Sequence, residues 1–326
     1  MSHRDFDTAL KLIHDGKKCY LYTGRGPSAK SMHLGHLIPF MITKYLQDVF
    51  DLPLVIQITD DEKYLYKEFT MDEIKKMTYE NIKDIIACGF NPNKTFIFIN
   101  TQYIYELYPT ILEIQKHINF HQVKSCFGIG EYSNIGQISF PAIQAAPSFS
   151  SCFTNQLNSE IYHCIIPCAI DQDPYFRVTR DVAIKINKPK PVILHTTFLP
   201  GLTGTNTKMS SSDINDAIFL SDTEKIVTKK INKAFSGGKD TLEEHRKYGG
   251  NPDVDICYQY LTFFMEDDNE LQNIYNNYKS GILTSGELKK ITANIINNII
   301  KKYKIIREKI TDEDIELFTN KNKKII

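Results

Sequence analysis

Two histidines three residues apart, with a leucine and a glycine between them, form the first group in the chain whose residue types and spacing could do chemistry. They lie in His33-Leu34-Gly35-His36, directly after a short apolar run and a glycine-containing turn. At a helix N-terminus, free backbone N–H groups and the helix dipole favour an anion, and a glycine lets a nucleotide approach the backbone. Two imidazoles three residues apart can direct ring N–H groups at the same phosphate oxygens. The string therefore predicts nucleotide binding, although alone it is equally typical of an ordinary turn before a helix.

A second polar segment, far downstream, carries a lysine followed by serines. The sequence over residues 207–213 is TKMSSSD, and glycines precede it at positions 201 and 204. Lys208 offers a compact positive charge to terminal phosphates, and residues 210–212 offer hydroxyl and backbone donors. A mobile phosphate-binding loop and a solvated lysine- and serine-rich surface loop both fit this composition, so the segment alone does not decide between them.

Alternating strand and helix patterns surround these residues. Helical periodicity follows the turn through residues 34–46 and returns over residues 71–88. Apolar runs predict strands at residues 18–23, 53–59, 95–99, 164–170 and 191–195. Such alternation is typical of a parallel sheet covered by helices on both faces. Beyond about Ser221 helix patterns dominate, so we predict an α/β fold with a parallel-sheet domain at residues 1–221, followed by an all-α helical domain at residues 222–326.

The last helical pattern runs from Glu287 to Ile305. It places Ile291, Ile295 and Ile299 on one face among Lys and Asn residues. A helix that contacts a membrane surface or a nucleic acid would have this pattern, and so would a packed amphipathic helix with a solvated face. The packed helix is the commoner case and is the interpretation we favour.

Bulk composition limits the class of protein. Hydrophobic residues make up 42% and charged residues 24%, which is typical of a folded globular protein. Because the formal net charge is zero, a nucleic-acid partner would have to be held by local basic patches. The seven cysteines are odd in number and scattered, as expected of reduced thiols in a cytosolic protein. With no signal-peptide or membrane-spanning pattern, we expect a cytoplasmic protein without a membrane partner.

Three groups contain residue types that could bind a metal directly: His117 with His121, His163 with Cys164 and Cys168, and Asp60-Asp61-Glu62. The first pair has metal-ligand spacing but no evident third ligand. Thiols in an apolar strand are usually core residues. The acidic group is better explained by a nearby substrate ammonium than by a metal. We therefore expect no metal held by protein ligands.

Taken together, H-x-G-H followed far downstream by K-M-S-x-S resembles the paired signatures of class I aminoacyl-tRNA synthetases. Other segments resemble the eukaryotic-type tryptophanyl-tRNA synthetases: residues 22–28, 56–63, 138–149, 167–177, 234–238 and 243–246. The resemblance extends from about Cys19 to about Leu288. One departure is Ser211, which stands where the most frequent form of the second motif has another lysine. This predicts the loss of one cationic contact to ATP.

The resemblance implies a tryptophan–tRNA ligase. ATP would activate L-tryptophan to tryptophanyl-adenylate, with Mg²⁺ bound through the ATP, and the amino acid would then pass to tRNA(Trp). It further implies a Rossmann-like catalytic domain at residues 1–221, an anticodon-binding helical domain at residues 222–326, and a homodimer. The family usually carries an N-terminal extension, so a processed or truncated form is expected.

The resemblance also implies roles for individual residues. The catalytic residues would be His33, His36 and Lys208. The ATP-binding set would be Thr23, Arg25, Gly26, His33, Gly35, His36, Lys208, Met209, Ser210 and Ser212. For tryptophan, Tyr22 and Gln57 would contact the indole N–H, and the ammonium and carboxylate ends would be held by Glu62, Gln144 and Gln172. An indole has one donor and a large apolar face, so its pocket needs a buried acceptor, although Gln57 could equally be a structural amide.

Several alternatives remain open from the sequence. A tyrosyl-tRNA synthetase of the same class is the nearest, and the segments above favour tryptophan. Other nucleotidyltransferases share an H-x-G-H turn but would not need the K-M-S segment. A binding or signalling paralogue with reduced catalysis is a third. Basic residues that could contact tRNA, or could simply be solvated, are Lys229, Lys230, Lys233, Lys289, Lys290, Lys301 and Lys302.

Overall fold

A computed structural model describes residues 1–210 and 213–326. The chain divides into two compact units. The first unit comprises residues 1–30, 39–197 and 310–326, and the second comprises residues 31–38 and 198–309. The boundaries of these compact units differ from the predicted domain boundary between residues 221 and 222. The division into a catalytic and an anticodon-binding domain at that point stays a prediction.

The first unit is built on a mixed sheet. Its strands in chain order are β1 (Ser2–Arg4), β2 (Cys19–Arg25), β3 (Leu54–Ile58), β4 (Thr95–Ile99), β5 (His163–Ala169) and β6 (Val192–Thr196). Their spatial order is β1-β6-β5-β2-β3-β4. Strands β2 to β6 are parallel, which confirms the five predicted strands and the parallel sheet. Strand β1 pairs antiparallel with β6, and its three residues are too few to show a period-2 pattern in the sequence.

The described part of the chain contains the following helices: α1 (Phe6–His14), α2 (Leu34–Phe50), α3 (Asp60–Tyr66), α4 (Met71–Ile86), α5 (Asn100–Gln115), α6 (Phe120–Phe127), α7 (Ile135–Ala145), α8 (Asp173–Lys185), α9 (Glu224–Lys233), α10 (Leu242–Tyr248), α11 (Ile256–Phe264), α12 (Asp268–Lys279), α13 (Ser285–Arg307) and α14 (Asp312–Thr319). The two predicted N-terminal helices correspond to α2 and α4. From residue 222 onwards the described elements are helices, as predicted. No helix among the described residues has the length and apolar character needed to cross a bilayer.

The register of the sheet brings polar residues to one edge. Arg25 pairs with Ile58, and Ile58 pairs with Ile99, so β2, β3 and β4 end level with each other. Beneath this edge lies an aromatic core in which Phe98 contacts Tyr103 and Phe153 at ring-centroid distances of 5.2 and 5.5 Å. Because parallel strands present their carboxyl ends at the same side, residues that follow these strands lie close together on a packed support.

The second unit combines a hairpin with helices. Strands β7 (Pro200–Gly201) and β8 (Gly204–Lys208) pair antiparallel, and α13 packs against α9 and α11. The buried side chains of α13 are Leu288, Thr292, Ala293, Ile296, Ile300 and Tyr303. The predicted stripe at positions 291, 295 and 299 is half-buried beside them. This supports the prediction of a packed amphipathic helix. The fully buried face lies one position C-terminal to the predicted stripe.

The C-terminal segment, residues 310–326, belongs to the first unit. Ile325 is fully buried in its core, and its N–H donates to Gln156 O at 3.2 Å. The Lys323 ammonium donates to Thr95 O at 2.8 Å and Leu317 O at 2.9 Å. The prediction of an all-α region from residue 222 onwards agrees with α14, but no pattern in the sequence indicated which core this segment packs on.

Candidate active site

The H-x-G-H residues lie in the second unit, with His33 directly before α2 and residues 34–36 in its first turn. Two backbone hydrogen bonds tie this start to another part of the same unit. The Leu34 N–H donates to Ile218 O at 2.9 Å, and the Leu220 N–H donates to Met32 O at 2.9 Å. The turn is therefore held on both sides by main-chain bonds, which fixes the direction of the N-terminal N–H groups of the helix.

The two imidazoles of this turn are stacked on each other. Their ring centroids are 3.5 Å apart, and the planes are inclined by 22°. The His33 backbone N–H donates to His36 Nδ1 at 3.2 Å, so a neutral His36 carries its hydrogen on Nε2. His33 is 3% exposed and meets the edge of Phe219 at 6.2 Å. His36 is half-buried and is therefore the more exposed ring of the pair.

The K-M-S segment meets this turn inside the second unit. Lys208 is the last residue of β8, and the Met209 N–H donates to Leu199 O at 3.0 Å. A Cβ built on Gly35 would lie 3.5 Å from Met209 Cβ and 3.1 Å from the His33 ring. The two motifs, which are distant in the sequence, are thus in van der Waals reach of each other.

Lys208 is exposed at the end of its strand. Its ammonium lies 5.0 Å from the ring centroid of Phe198, within cation–π distance. Ser210 is half-buried. The predicted ATP contact of Ser212 and the departure at Ser211 lie outside the described residues.

The remaining residues of the predicted ATP set lie in the first unit. The Thr23 hydroxyl donates to Pro167 O at 3.0 Å, and Arg25 Nε donates to Asn81 Oδ1 at 2.9 Å. Burial lowers the pKa of Arg25 to about 10, so the guanidinium is charged at neutral pH. A Cβ on Gly26 would lie 2.1 Å from Lys63 Cε, which shows how closely that side chain covers the glycine. The predicted ATP set is therefore divided between the two units.

The predicted indole-contacting residues form one buried group in the first unit. Tyr22 and Gln57 are each 1% exposed. The Tyr22 hydroxyl lies 2.6 Å from Gln57 Oε1 and 2.8 Å from the carbonyl oxygen of Gln144. Burial holds the pKa of Tyr22 well above its usual value, so the phenol is neutral and has a single hydrogen. Two carbonyl oxygens share that one hydrogen. The group can therefore accept a further hydrogen bond from an N–H of a ligand.

The residues predicted for the polar ends of the substrate fall into two hydrogen-bonded groups. Gln144 Nε2 donates to Gln172 Oε1 at 2.8 Å, and Gln172 Nε2 donates to Asp171 Oδ1 at 3.3 Å. Glu62 accepts from the Thr59 hydroxyl and from the Lys63 ammonium, each at 2.8 Å. Gln144 and Gln172 are joined to Tyr22 through the Gln144 backbone, whereas Glu62 bonds to other partners.

Two further residues extend this group and were not identified from the sequence as part of it. Gln57 Nε2 donates to Asn100 Oδ1 at 2.9 Å, and Asn100 Nδ2 donates to Asp61 Oδ1 at 2.8 Å. Asn100 comes directly after β4, and Asp61 comes shortly after β3. One signal in the sequence could have identified them. Each is a polar residue that follows a buried strand, and a candidate site residue lies on that strand or on the adjacent one.

The candidate metal-binding groups have ordinary structural surroundings. Cys164 and Cys168 are buried in β5, and burial raises the pKa of both thiols. Across residues 1–210 and 213–326, no cluster of three or more His, Cys, Asp or Glu side chains has a geometry that could hold a metal ion.

With this geometry established, comparison with known proteins identifies the family. The family model described as tRNA synthetases class I (W and Y) matches residues 14–301. The chain belongs to the class I tRNA synthetases of this W and Y family. Its sheet with covering helices is the Rossmann-like domain of that class, accompanied by a helical part.

Several similar proteins in this family are named as tryptophan enzymes. The human cytoplasmic tryptophan–tRNA ligase is 54% identical over 327 residues, which cover 99% of this chain and 69% of the human protein. The crystal structure of Plasmodium falciparum tryptophanyl-tRNA synthetase is 50% identical with a TM-score of 0.93, covering 98% of this chain and 87% of that one. The Encephalitozoon cuniculi enzyme bound to tryptophan is 42% identical with a TM-score of 0.90, covering 98% of this chain and 87% of that one.

Proposed function

We propose that this chain is a cytoplasmic tryptophan–tRNA ligase, which activates L-tryptophan with ATP and transfers it to tRNA(Trp). The observation that carries the amino-acid specificity is the hydroxyl of Tyr22, whose one hydrogen is shared between Gln57 Oε1 and Gln144 O. Buried acceptors in excess of donors select a ligand that brings an N–H. An indole brings one such donor on a large apolar ring, and the relatives named above are tryptophan ligases.

A tyrosyl specificity fits this group less well. The phenol O–H of a tyrosine substrate can both donate and accept a hydrogen bond. The two oxygens around the Tyr22 hydroxyl therefore do not specifically require a phenol. An indole N–H can only donate, which matches two carbonyl oxygens that can only accept. A site built around such a donor rejects an analogue that lacks it, since a buried acceptor is then left unpaired.

The ATP-dependent step rests on the residues of the second unit. The carboxylate of tryptophan attacks the α-phosphorus of ATP in line, giving tryptophanyl-adenylate and pyrophosphate. His36 Nε2–H, the N-terminus of α2 and the Lys208 ammonium stabilise the charge that develops on the phosphate oxygens. Mg²⁺ bound through the ATP neutralises the polyphosphate. The terminal ribose hydroxyl of tRNA then attacks the carbonyl of the adenylate and AMP leaves, so no covalent enzyme intermediate is needed.

Among the lysines proposed for tRNA contact, two have partners within the protein. Lys230 donates to Ala217 O at 2.7 Å and to Asp222 at 2.8 Å, and Lys289 donates to Asn232 O and Ala234 O at 2.9 Å each. These two ammonium groups have structural partners. The exposed members of the set, which stay candidates for phosphate-backbone contacts, are Lys229, Lys233, Lys290, Lys301 and Lys302.

One further proposal rests on the family resemblance. The enzyme acts as a homodimer, which light scattering of the purified protein tests directly. A paralogue with reduced catalysis is the remaining alternative, and the stacked imidazoles beside the K-M-S segment favour an active enzyme over it.

The proposed function is tested by charging a tRNA(Trp) transcript with tryptophan and, in parallel, a tRNA(Tyr) transcript with tyrosine. We expect ATP-dependent charging of the first pair only. Charging of tRNA(Tyr) would select the tyrosyl alternative, and no charging of either tRNA would select the paralogue.

A further inference from the structure

A chain of side-chain hydrogen bonds runs from the predicted indole contact to a carboxylate. It leads from Tyr22 to Gln57, from Gln57 to Asn100 and from Asn100 to Asp61, with distances of 2.6, 2.9 and 2.8 Å. Gln57 is 1% exposed and Asn100 is fully buried. An amide that has lost its water must satisfy both its oxygen and its nitrogen within the protein, so each link constrains the next.

The carboxylate end gives the chain a direction. An ionised carboxylate can only accept, so Asn100 must turn its NH₂ group towards Asp61. The Asn100 oxygen then faces Gln57 and can only accept, which makes Gln57 turn its own NH₂ group towards Asn100. The Gln57 NH₂ group also lies 3.4 Å from the carbonyl oxygen of Ile143, a second acceptor on the same side. The oxygen of Gln57 is left facing Tyr22.

We propose that Asp61 and Asn100 are positioning residues that hold the Gln57 side-chain oxygen towards Tyr22, and so set the selection of an amino acid that brings an N–H donor. This rests on the proposed function, because the donor is the indole N–H of tryptophan. Neither residue needs to touch the substrate. Without them the Gln57 amide can turn over and present its NH₂ group, which repels an N–H donor and no longer penalises a ligand without one.

At the pH of an exchange assay Asp61 is in the ionised state that the chain requires, although its surroundings favour protonation. Burial, aided by the neighbouring Asp60 and Glu62 carboxylates, raises the pKa of Asp61 to about 6, while the bonds from Asn100 and from the Glu62 backbone N–H act against this rise. The group is therefore ionised, and only an acceptor, at the slightly alkaline pH of an exchange assay.

The test compares tryptophan with β-(3-benzothienyl)alanine, a close analogue in which sulfur replaces the indole N–H. The ratio of the two kcat/KM values in ATP–pyrophosphate exchange reports on the donor alone. In Asn100→Leu we expect this ratio to fall by about tenfold to a hundredfold, the range for a buried acceptor left unpaired. In Asn100→Asp the ratio stays close to wild type, because the new carboxyl group shares a proton with Asp61 and its other oxygen still accepts from Gln57.

Thr101→Val is the matched control. Thr101 follows Asn100 in α5, and its hydroxyl donates to Asp60, the carboxylate next to Asp61, at 2.5 Å. The substitution removes the same kind of bond to the same acidic pair, but it does not touch Gln57. A thermal melt of each variant establishes folding. If Asn100→Leu does not fold, Asp61→Ala takes its place, and the ratio is expected to fall in it as well.

An equal loss of kcat/KM for both amino acids in Asn100→Leu would mean that the residue only supports the fold, and would overturn the proposal. A ratio that falls as far in Asn100→Asp or Thr101→Val would overturn it too. These outcomes differ from a failure of the proposed function, in which the wild-type enzyme shows no exchange with tryptophan.

Discussion

His36 and Lys208 are the two side chains that we propose contribute most directly to the phosphate chemistry. His36 has its Nδ1 occupied by the His33 backbone N–H, so its other ring nitrogen is the donor. Lys208 stands at the end of β8 beside the aromatic ring of Phe198. The His36 ring is held in a stacked pair, whereas the Lys208 ammonium is on an exposed segment. We therefore expect the loss of each side chain to change the kinetics of exchange differently.

Replacing His36 with alanine should lower tryptophan-dependent ATP–pyrophosphate exchange by about 10²–10³, the usual loss for one preorganised donor. Tryptophan binding should be almost unaffected, since the predicted indole contacts are in the first unit. The chain contains no tryptophan, so the fluorescence of the ligand itself reports binding. Exchange that is unchanged in His36→Ala would reject the assigned role.

Replacing Lys208 with alanine should reduce kcat more than it raises the KM for ATP. We expect this exposed cation to contribute mainly in the transition state, reached when its segment closes over the nucleotide. Steady-state kinetics of exchange at varied ATP separates the two parameters. A change confined to KM would contradict this and would make Lys208 a ground-state contact only.

At the scale of elements, the hairpin of β7 and β8 positions the K-M-S segment. Gly201, in β7, lies against the Asp216 carboxylate, which accepts from the Thr203 N–H at 2.7 Å. A Cβ on Gly201 would lie 2.0 Å from Asp216 Oδ2, so the hairpin would have to shift. The geometry of Lys208 therefore depends on a close approach that only glycine permits.

We expect Gly201→Ala to lower tryptophan-dependent exchange through a displaced Lys208. Its control is Gly286→Ala in α13, where a Cβ meets nothing within 4 Å. Exchange should be unchanged in the control, and its melting temperature should not fall, because alanine favours a helix over glycine. Equal exchange in both variants would show that the hairpin does not position the lysine.

The elements differ in how far the sequence predicts them. The five parallel strands and helices α2 and α4 follow from apolar runs and helical periodicity, because burial on both faces or on one stripe leaves a regular pattern. The turn before α2 was predictable from His33 and Gly35. The role of Asn100 was not, because a single amide after a strand carries no pattern and its meaning comes only from the partner that the sheet register places beside it.

At the scale of the whole molecule, residues 310–326 belong to the same compact unit as residues 1–30. Ile325 is fully buried in the core of the first unit, and Ile326 is 51% exposed. The last helical pattern predicted from the sequence covers residues 287–305, and the packing of residues 310–326 on the core of the first unit depends on tertiary contacts that local patterns do not encode. The C-terminal residues are therefore part of the unit that carries the predicted tryptophan contacts.

Ile325→Ala should lower the free energy of unfolding by about 2–5 kcal/mol, the range for truncating a buried isoleucine. Ile326→Ala is the neighbouring control and should change it by less than about 0.5 kcal/mol. Urea denaturation followed by circular dichroism gives both values. Equal effects would show that the tail contributes nothing specific to the stability of the first unit.

The central claim, that this enzyme activates tryptophan, is tested most directly by ATP–pyrophosphate exchange of the wild-type protein with each of the twenty amino acids in turn. The account predicts rapid exchange with tryptophan and only background exchange with the other amino acids. Exchange driven by tyrosine, or by no amino acid, would contradict it.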